Sequence, residues 1–363
     1  MKVVVTPALD RPVLLRLELR AGRRMSIAPL LPMEAKLVDA LPYEPGWQFE
    51  PKWDGFRALA ARDGEAVELW SKSGKQLGRY FPEIVAMLGA LPQRRFLLDG
   101  ELIIPLGGVL SFSALQARLH PAASRIAKLS RETPAQLMLF DCLRLDGEDL
   151  VHWPLVERRA ALEAFHKPLA RNDLLLSPCS HRRADAERWL AEAGGALDGV
   201  MAKPLDDPYR PGERAMLKVK QLRTADCVVG GYRKSEDGAI ASLLLGLFDT
   251  EGKLDHVGFT SSFSVEARAA LANIVEPSVG PPGFTGDTPG GPSRWNGGDA
   301  KAYAPLRGEL VVEVVYDQVT AGRFRHGTRF LRWRPDKDPA QCTRDQLLHE
   351  LRPAELEGLI RSL

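Results

Sequence analysis

Gln48-Phe49-Glu50-Pro51-Lys52-Trp53-Asp54-Gly55-Phe56-Arg57 is the most informative stretch of this 363-residue chain. At its centre, a lysine is followed two positions later by an aspartate and a glycine. In isolation, Lys-x-Asp-Gly reads as a surface turn, with the aspartate favouring the turn and the glycine adopting a left-handed backbone. If the segment is instead a strand, Glu50 and Lys52 share one face, because side chains alternate along extended backbone. The rest of the chain decides between these readings.

A chain of this length divides most naturally into one larger and one smaller unit. With 45% hydrophobic and 26% charged residues it has the composition of a soluble globular protein, and no apolar run is long enough to span a membrane. The net charge of +2 assigns any nucleic-acid affinity to local basic patches. Cys142, Cys179, Cys227 and Cys342 form no Cys-x-x-Cys pair, which argues against a zinc ribbon or disulfide framework and for reduced, cytoplasmic thiols. Arg16 and Glu18 interrupt the apolar run Pro12 to Leu19, so it does not read as a signal segment. Residues 1–24 read as a poorly ordered extension, with Met25 as an alternative start.

Strand patterns at Phe96 to Ile104, Gln136 to Cys142, Leu197 to Lys203 and Met216 to Lys220 alternate with helical patterns. The helices are expected at Pro82 to Leu91, Ser111 to Leu119, Leu155 to His166 and Ala184 to Ala193. After about Leu222, short strands take over at Asp226 to Tyr232, Ser242 to Asp249, His256 to Thr260, Leu310 to Val319 and Phe330 to Arg334. A helix at Val265 to Val275 interrupts them. That count suits a small five-stranded barrel. The Pro- and Gly-rich stretch Glu276 to Gly298 reads as a long loop, and Arg344 to Leu351 as a closing helix.

Further patterns follow Lys52 in order: Ser71-Lys-Ser-Gly-Lys75, Asp99-Gly-Glu101, Leu139-Phe-Asp-Cys142, Asp198-Gly-Val-Met-Ala-Lys203, Lys218-Val-Lys220 and Arg332-Trp-Arg-Pro-Asp-Lys337. In this order, over roughly residues 25 to 340, they resemble the covalent nucleotidyltransferase superfamily of DNA ligases, RNA ligases and mRNA-capping enzymes. The resemblance implies an α+β nucleotidyltransferase (ATP-grasp-like ligase) catalytic domain over 25–222. A five-stranded OB-fold barrel over 223–341 and a helical tail over 342–363 would follow. Within the superfamily the chain looks most like the small bacterial ligases of the LigC type.

The resemblance gives each motif a role. Lys52 would be the nucleophile, its ammonium form disfavoured by neighbouring cations, a metal and partial burial. Glu50 would accept from the adenine amino group and favour ATP over GTP, while Phe140 stacks on the base. Arg57 and Lys72 would clamp phosphate or ribose, Lys72 standing where the family often has Arg. Glu101 would contact the ribose and, with Asp198, hold Mg²⁺ or Mn²⁺. Asp198 replaces the family's usual Glu. Lys203 and Arg214 join the nucleotide site, and Lys218 and Lys220 flank the α-phosphate. Met216-Leu217 occupies the place where a Trp is common. Asp54, Lys218 and Lys220 would orient the reacting groups, and Arg332, Arg334, Asp336 and Lys337 would meet the pyrophosphate.

These assignments imply ATP-dependent sealing of nicked duplex DNA by a monomer, in repair, alongside a repair polymerase or end-binding proteins. An RNA ligase or a guanylyltransferase shares the nucleophile and is the nearest alternative. A catalytically silent DNA-binding scaffold is the alternative from another class. NAD-dependent ligases fit less well, since only 51 residues precede Lys52 and no zinc ligands cluster.

Overall fold

The computed structural model describes residues 30–106, 109–169, 171–192, 197–220, 222–290, 302–320 and 322–347. The expectations for residues 1–24, Met25 and the end of the chain beyond 347 lie outside these residues.

Two sheets face each other in the N-terminal body. The first runs in the order Ala35–Leu37, Met216–Val219, Leu197–Pro204, Trp47–Trp53. The second runs Leu174–Leu176, Gln136–Leu145, Arg95–Ile103, Phe56–Asp63, Ala66–Ser71. Alternation assigns their faces. Ala58 and Ala60 pack with Phe81, Ile84 and Leu88 on the helix side of the second sheet. Their neighbours Leu59 and Ala61 turn the other way, joining Met33, Leu97, Tyr209 and Met216 between the sheets. Arg57 has the same parity as Leu59, and Asp99 and Glu101 have that of Leu97. The sequence therefore aims these polar groups into the inter-sheet space where it opens.

On the outer side of the first sheet, Phe49, Val200 and Ala202 pack against Ala186 and Trp189 of the helix Arg183–Glu192. The helix Leu155–His166 has the expected bounds. A helix at Ala123–Glu132 was not foreseen; Ile126 is its one fully buried residue, so its apolar signal is weak.

In the C-terminal part, Arg223–Lys234, Ile240–Phe248, Leu254–Ser262, Thr328–Trp333 and Val311–Tyr316 pair in that order, and the last pairs with the first. A short strand, Ala304–Pro305, adds to Arg223–Lys234. The helix Val265–Val275 begins where expected, with the Ser264 hydroxyl accepting from Ala267 N at 3.1 Å. Leu244, Val257, Leu271, Val312 and Val314 lie in one core. One expectation is corrected, and a second is described only in part. The strand expected over Leu310 to Val319 ends at Tyr316, and Val319–Thr320 starts a separate hairpin with Arg323–Phe324. The closing helix is, as far as described, a single 3₁₀ turn at Arg344–Leu347.

Candidate active site

Lys52 is the penultimate residue of the strand Trp47–Trp53, so Lys-x-Asp-Gly is a strand exit. Gly55 is absent from the glycines with positive φ, which overturns the left-handed turn reading. Its requirement is steric. A Cβ there would lie 2.1 Å from the Leu102 carbonyl oxygen and 2.8 Å from Glu101 Cγ, so glycine lets the two sheets converge beside Lys52.

A second glycine shapes the opposite wall. Gly199 has φ +132°, and a Cβ there would meet the Val219 carbonyl oxygen at 2.0 Å and Lys220 Cα at 2.9 Å. That close approach presses Asp198 against the lysines. Its carboxylate accepts from Lys52 Nζ and lies 3.2 Å from Lys220 Nζ. Burial pushes the Lys218 pKa down, and the charges of Lys52, Lys220 and Lys72 push the same way. Burial also opposes the charge on Lys220, but its hydrogen bond to Asp317 at 2.7 Å and the charge of Asp198 outweigh this and raise its pKa.

At the other end of the cleft, Glu50 is buried, accepting from Gln48 Nε2 at 2.7 Å and Lys203 Nζ at 2.8 Å. The Phe140 ring has the Arg57 guanidinium 4.9 Å and the Lys203 ammonium 4.7 Å from its centroid. Arg57 forms a two-pronged ion pair with the fully buried Asp99, at 2.7 and 2.6 Å. The structure thus gathers Glu50, Lys52, Arg57, Lys72, Glu101, Phe140, Lys203 and Lys218 around one cleft. Arg214 is not among its lining residues; it lies 3.9 Å from Glu34, which also pairs with Lys72 at 3.1 Å.

Burial drives the Glu101 carboxyl up to about 7, against the lowering charges of Arg57 and Lys52. A carboxyl raised in the fold favours its protonated form. Its contribution to stability is therefore full below the ordinary carboxyl value of 4.5 and is lost as pH rises from there to about 7. The ligand-free melting temperature of the wild type should fall relative to that of Glu101→Gln between about pH 5 and pH 7 and run parallel to it above that. Parallel curves across that window would refute this assignment.

Among the described residues there is no group of three or more His, Cys, Asp or Glu that could hold a metal. Asp198 nevertheless fits a hard divalent ion that takes one or two protein carboxylates and completes its shell with substrate phosphates and water.

The segment Arg332 to Lys337 does not reach the cleft in this arrangement. Arg332 pairs with Glu313 at 2.7 Å, Arg334 with Asp226 and Asp336 at 2.9 Å, and Lys337 lies 3.8 Å from Asp226. Asp317 and Arg325, held by His326 and Gln318, instead contact Lys220 and Asp54 beside the cleft. Arg325 Nη1 donates to both Asp54 oxygens at 2.6 Å, and its guanidinium lies 3.3 Å from the Phe112 ring centroid. Asp317 joins Lys220 to His326, whose Nδ1 is 3.1 Å away. Arg325 and His326 lie outside the stretch Arg332 to Lys337 that the sequence reading singled out, so these contact residues were not foreseen. Among the described residues no helix is long and apolar enough to cross a membrane.

Comparison with known proteins agrees with this geometry. Residues 32–220 match the model of the ATP dependent DNA ligase domain, and residues 236–337 that of the ATP dependent DNA ligase C terminal region. DNA ligase C2 of Mycolicibacterium smegmatis is 45% identical over 339 residues, covering 88% of this chain and 95% of that one. The multifunctional non-homologous end joining DNA repair protein LigD of Mycobacterium tuberculosis is 33% identical over 312 residues, 82% of this chain and 37% of that one. The solved structure of Pmar-Lig_PreS3 shares the fold at TM-score 0.55 and 18% identity, covering 84% of this chain and 68% of that one. The chain belongs to the ATP-dependent DNA ligases.

Proposed function

We propose that this ligase seals nicks bearing 3′-hydroxyl and 5′-phosphate ends, in DNA repair, through an adenylate carried on Lys52. The observation that carries this reading is the placing of one amine between a base-binding end and a cluster of phosphate-binding cations. Glu50, Lys203 and Phe140 form the first, with Arg57 over the Phe140 ring; Lys72, Lys218 and Lys220 form the second. The end-joining role in the name of the LigD relative supports repair.

In the first step Lys52 Nζ attacks the ATP α-phosphorus; an N–P bond forms, pyrophosphate leaves and the amine loses a proton. A 5′-phosphate oxygen of the nick then displaces Lys52 from the AMP phosphorus. In the third step the 3′-hydroxyl attacks the 5′-phosphorus, forming the phosphodiester and releasing AMP. Through all three, Lys218 and Lys220 hold the charged phosphates and Arg57 fixes their register. Asp198 and Glu101 would hold the divalent ion, Mg²⁺ or Mn²⁺, which supplies charge neutralisation at the phosphates.

On this reading, the domain boundary lies near Leu222, and the five mutually paired C-terminal strands form the OB-fold barrel. Arg332, Arg334, Asp336 and Lys337 would meet pyrophosphate only after the barrel turns relative to the catalytic domain.

The test is incubation with α-labelled ATP, then addition of unlabelled nicked DNA. Label on the protein that chases to the nicked strand supports the proposal. Labelling by GTP, or chase only to nicked RNA, would replace it with a capping enzyme or an RNA ligase. Base stacking contributes about 1–3 kcal/mol, so Phe140→Ala should raise the ATP KM by about tenfold or more. An unchanged KM would remove Phe140 from the base site.

A further inference from the structure

Between the strands Leu197–Pro204 and Met216–Val219 runs a loop whose Tyr209 lies 2% exposed beneath the cleft. The backbone holds it firmly. Tyr209 N donates to the Val151 carbonyl at 2.8 Å, Leu155 N to the Asp207 carbonyl at 3.1 Å, and Gly212 N to the Pro32 carbonyl at 3.3 Å. Its hydroxyl closes a circuit of four groups. Met33 N donates to the Tyr209 hydroxyl at 2.9 Å, and the hydroxyl donates to Asp99 Oδ2 at 2.7 Å. Asp99 Oδ2 accepts from Arg57 Nη2 at 2.6 Å, and the same Nη2 donates to the Met33 carbonyl at 3.1 Å.

Within that circuit only Arg57 reaches the cleft, where it stands over Phe140. Asp99 is wholly buried, so the aim of the guanidinium depends on which way its carboxylate faces. Burial and the Asp99 charge both raise the Tyr209 pKa well above its usual value, so the phenol stays a donor.

We infer that Tyr209 is a positioning residue for the ligase reaction, fixing the Asp99 carboxylate and through it the Arg57 guanidinium against the bound nucleotide. This rests on the reading of Arg57 as a nucleotide clamp. It adds to that reading a residue from a loop that none of the recognised motifs includes.

A purely structural role and this one differ in how Tyr209→Phe combines with loss of Arg57. The experiment measures the rate of Lys52 labelling at subsaturating ATP in full-length wild type, Tyr209→Phe, Arg57→Ala and the double variant. Each protein is assayed well below its own melting midpoint. A lost hydrogen bond to a charged group predicts a fall of about tenfold for Tyr209→Phe in the wild-type background. If Tyr209 works through Arg57, the same change in Arg57→Ala costs less than about twofold. Equal losses in both backgrounds, or no loss in the wild type, would overturn the inference. Full labelling by Arg57→Ala would overturn the clamp reading and the inference with it. Should Arg57→Ala label too slowly to measure, Arg57→Lys, which cannot form the two-pronged pair, takes its place.

Discussion

Lys52→Ala is expected to form no covalent adenylate with ATP and a divalent ion, a loss of about 10⁴-fold or more, as follows when a nucleophile is removed. The loss cannot be shared with a neighbour. Lys218 lies on another strand, Met216–Val219, and Lys220 just beyond its end, where its ammonium pairs with Asp317 and Asp198. Lys52→Arg should fail as well, because a guanidinium stays protonated in proteins. Mass spectrometry of the intact protein reads the outcome directly. An added AMP in Lys52→Ala would place the nucleophile elsewhere and dissolve the site as described.

Arg325→Ala should produce the second large effect. Arg325 and Asp54 are only 16% and 18% exposed, and their ion pair joins the two bodies two residues along the chain from Lys52. Removing one member of a largely buried pair leaves the other charge desolvated, at a cost of about 2–5 kcal/mol. Taking the lower end, sealing of a nick that already carries AMP should slow by about 30-fold. Arg307→Ala, which breaks an exposed pair with Glu309, serves as the control and should seal at the wild-type rate. Wild-type sealing by Arg325→Ala would mean that this docking of the two bodies is not the one used on DNA.

Why Arg325 escaped a reading of the sequence is plain from its separation of 271 residues from Asp54. No periodicity links such positions; only the closed arrangement of the two bodies brings them together. The elements legible in advance have local causes. The helices Leu155–His166 and Val265–Val275 bury apolar residues at helical spacing, and the paired strands alternate or run continuously apolar. Lys52, Glu50 and Lys203 were singled out through the resemblance, and the fold brings them together on adjacent antiparallel strands, with Met201 opposite Glu50 and Lys203 opposite Gln48. The role of Arg332 to Lys337 was assigned by resemblance, and nothing in that stretch indicates which way the C-terminal body faces. The surface helix Ala123–Glu132 and the two-residue strands of the Val319 hairpin left signals too short or too polar to detect.

Asp198, standing where the family usually has a glutamate, can be understood from the glycine that follows it. An added Cβ at Gly199 would lie 2.0 Å from the Val219 carbonyl oxygen, so the bare glycine lets this strand end lie close to the lysine strand, where the short aspartate side chain reaches both Lys52 and Lys220. The stiffer, shorter arm also leaves the carboxylate fewer rotamers among which to wander.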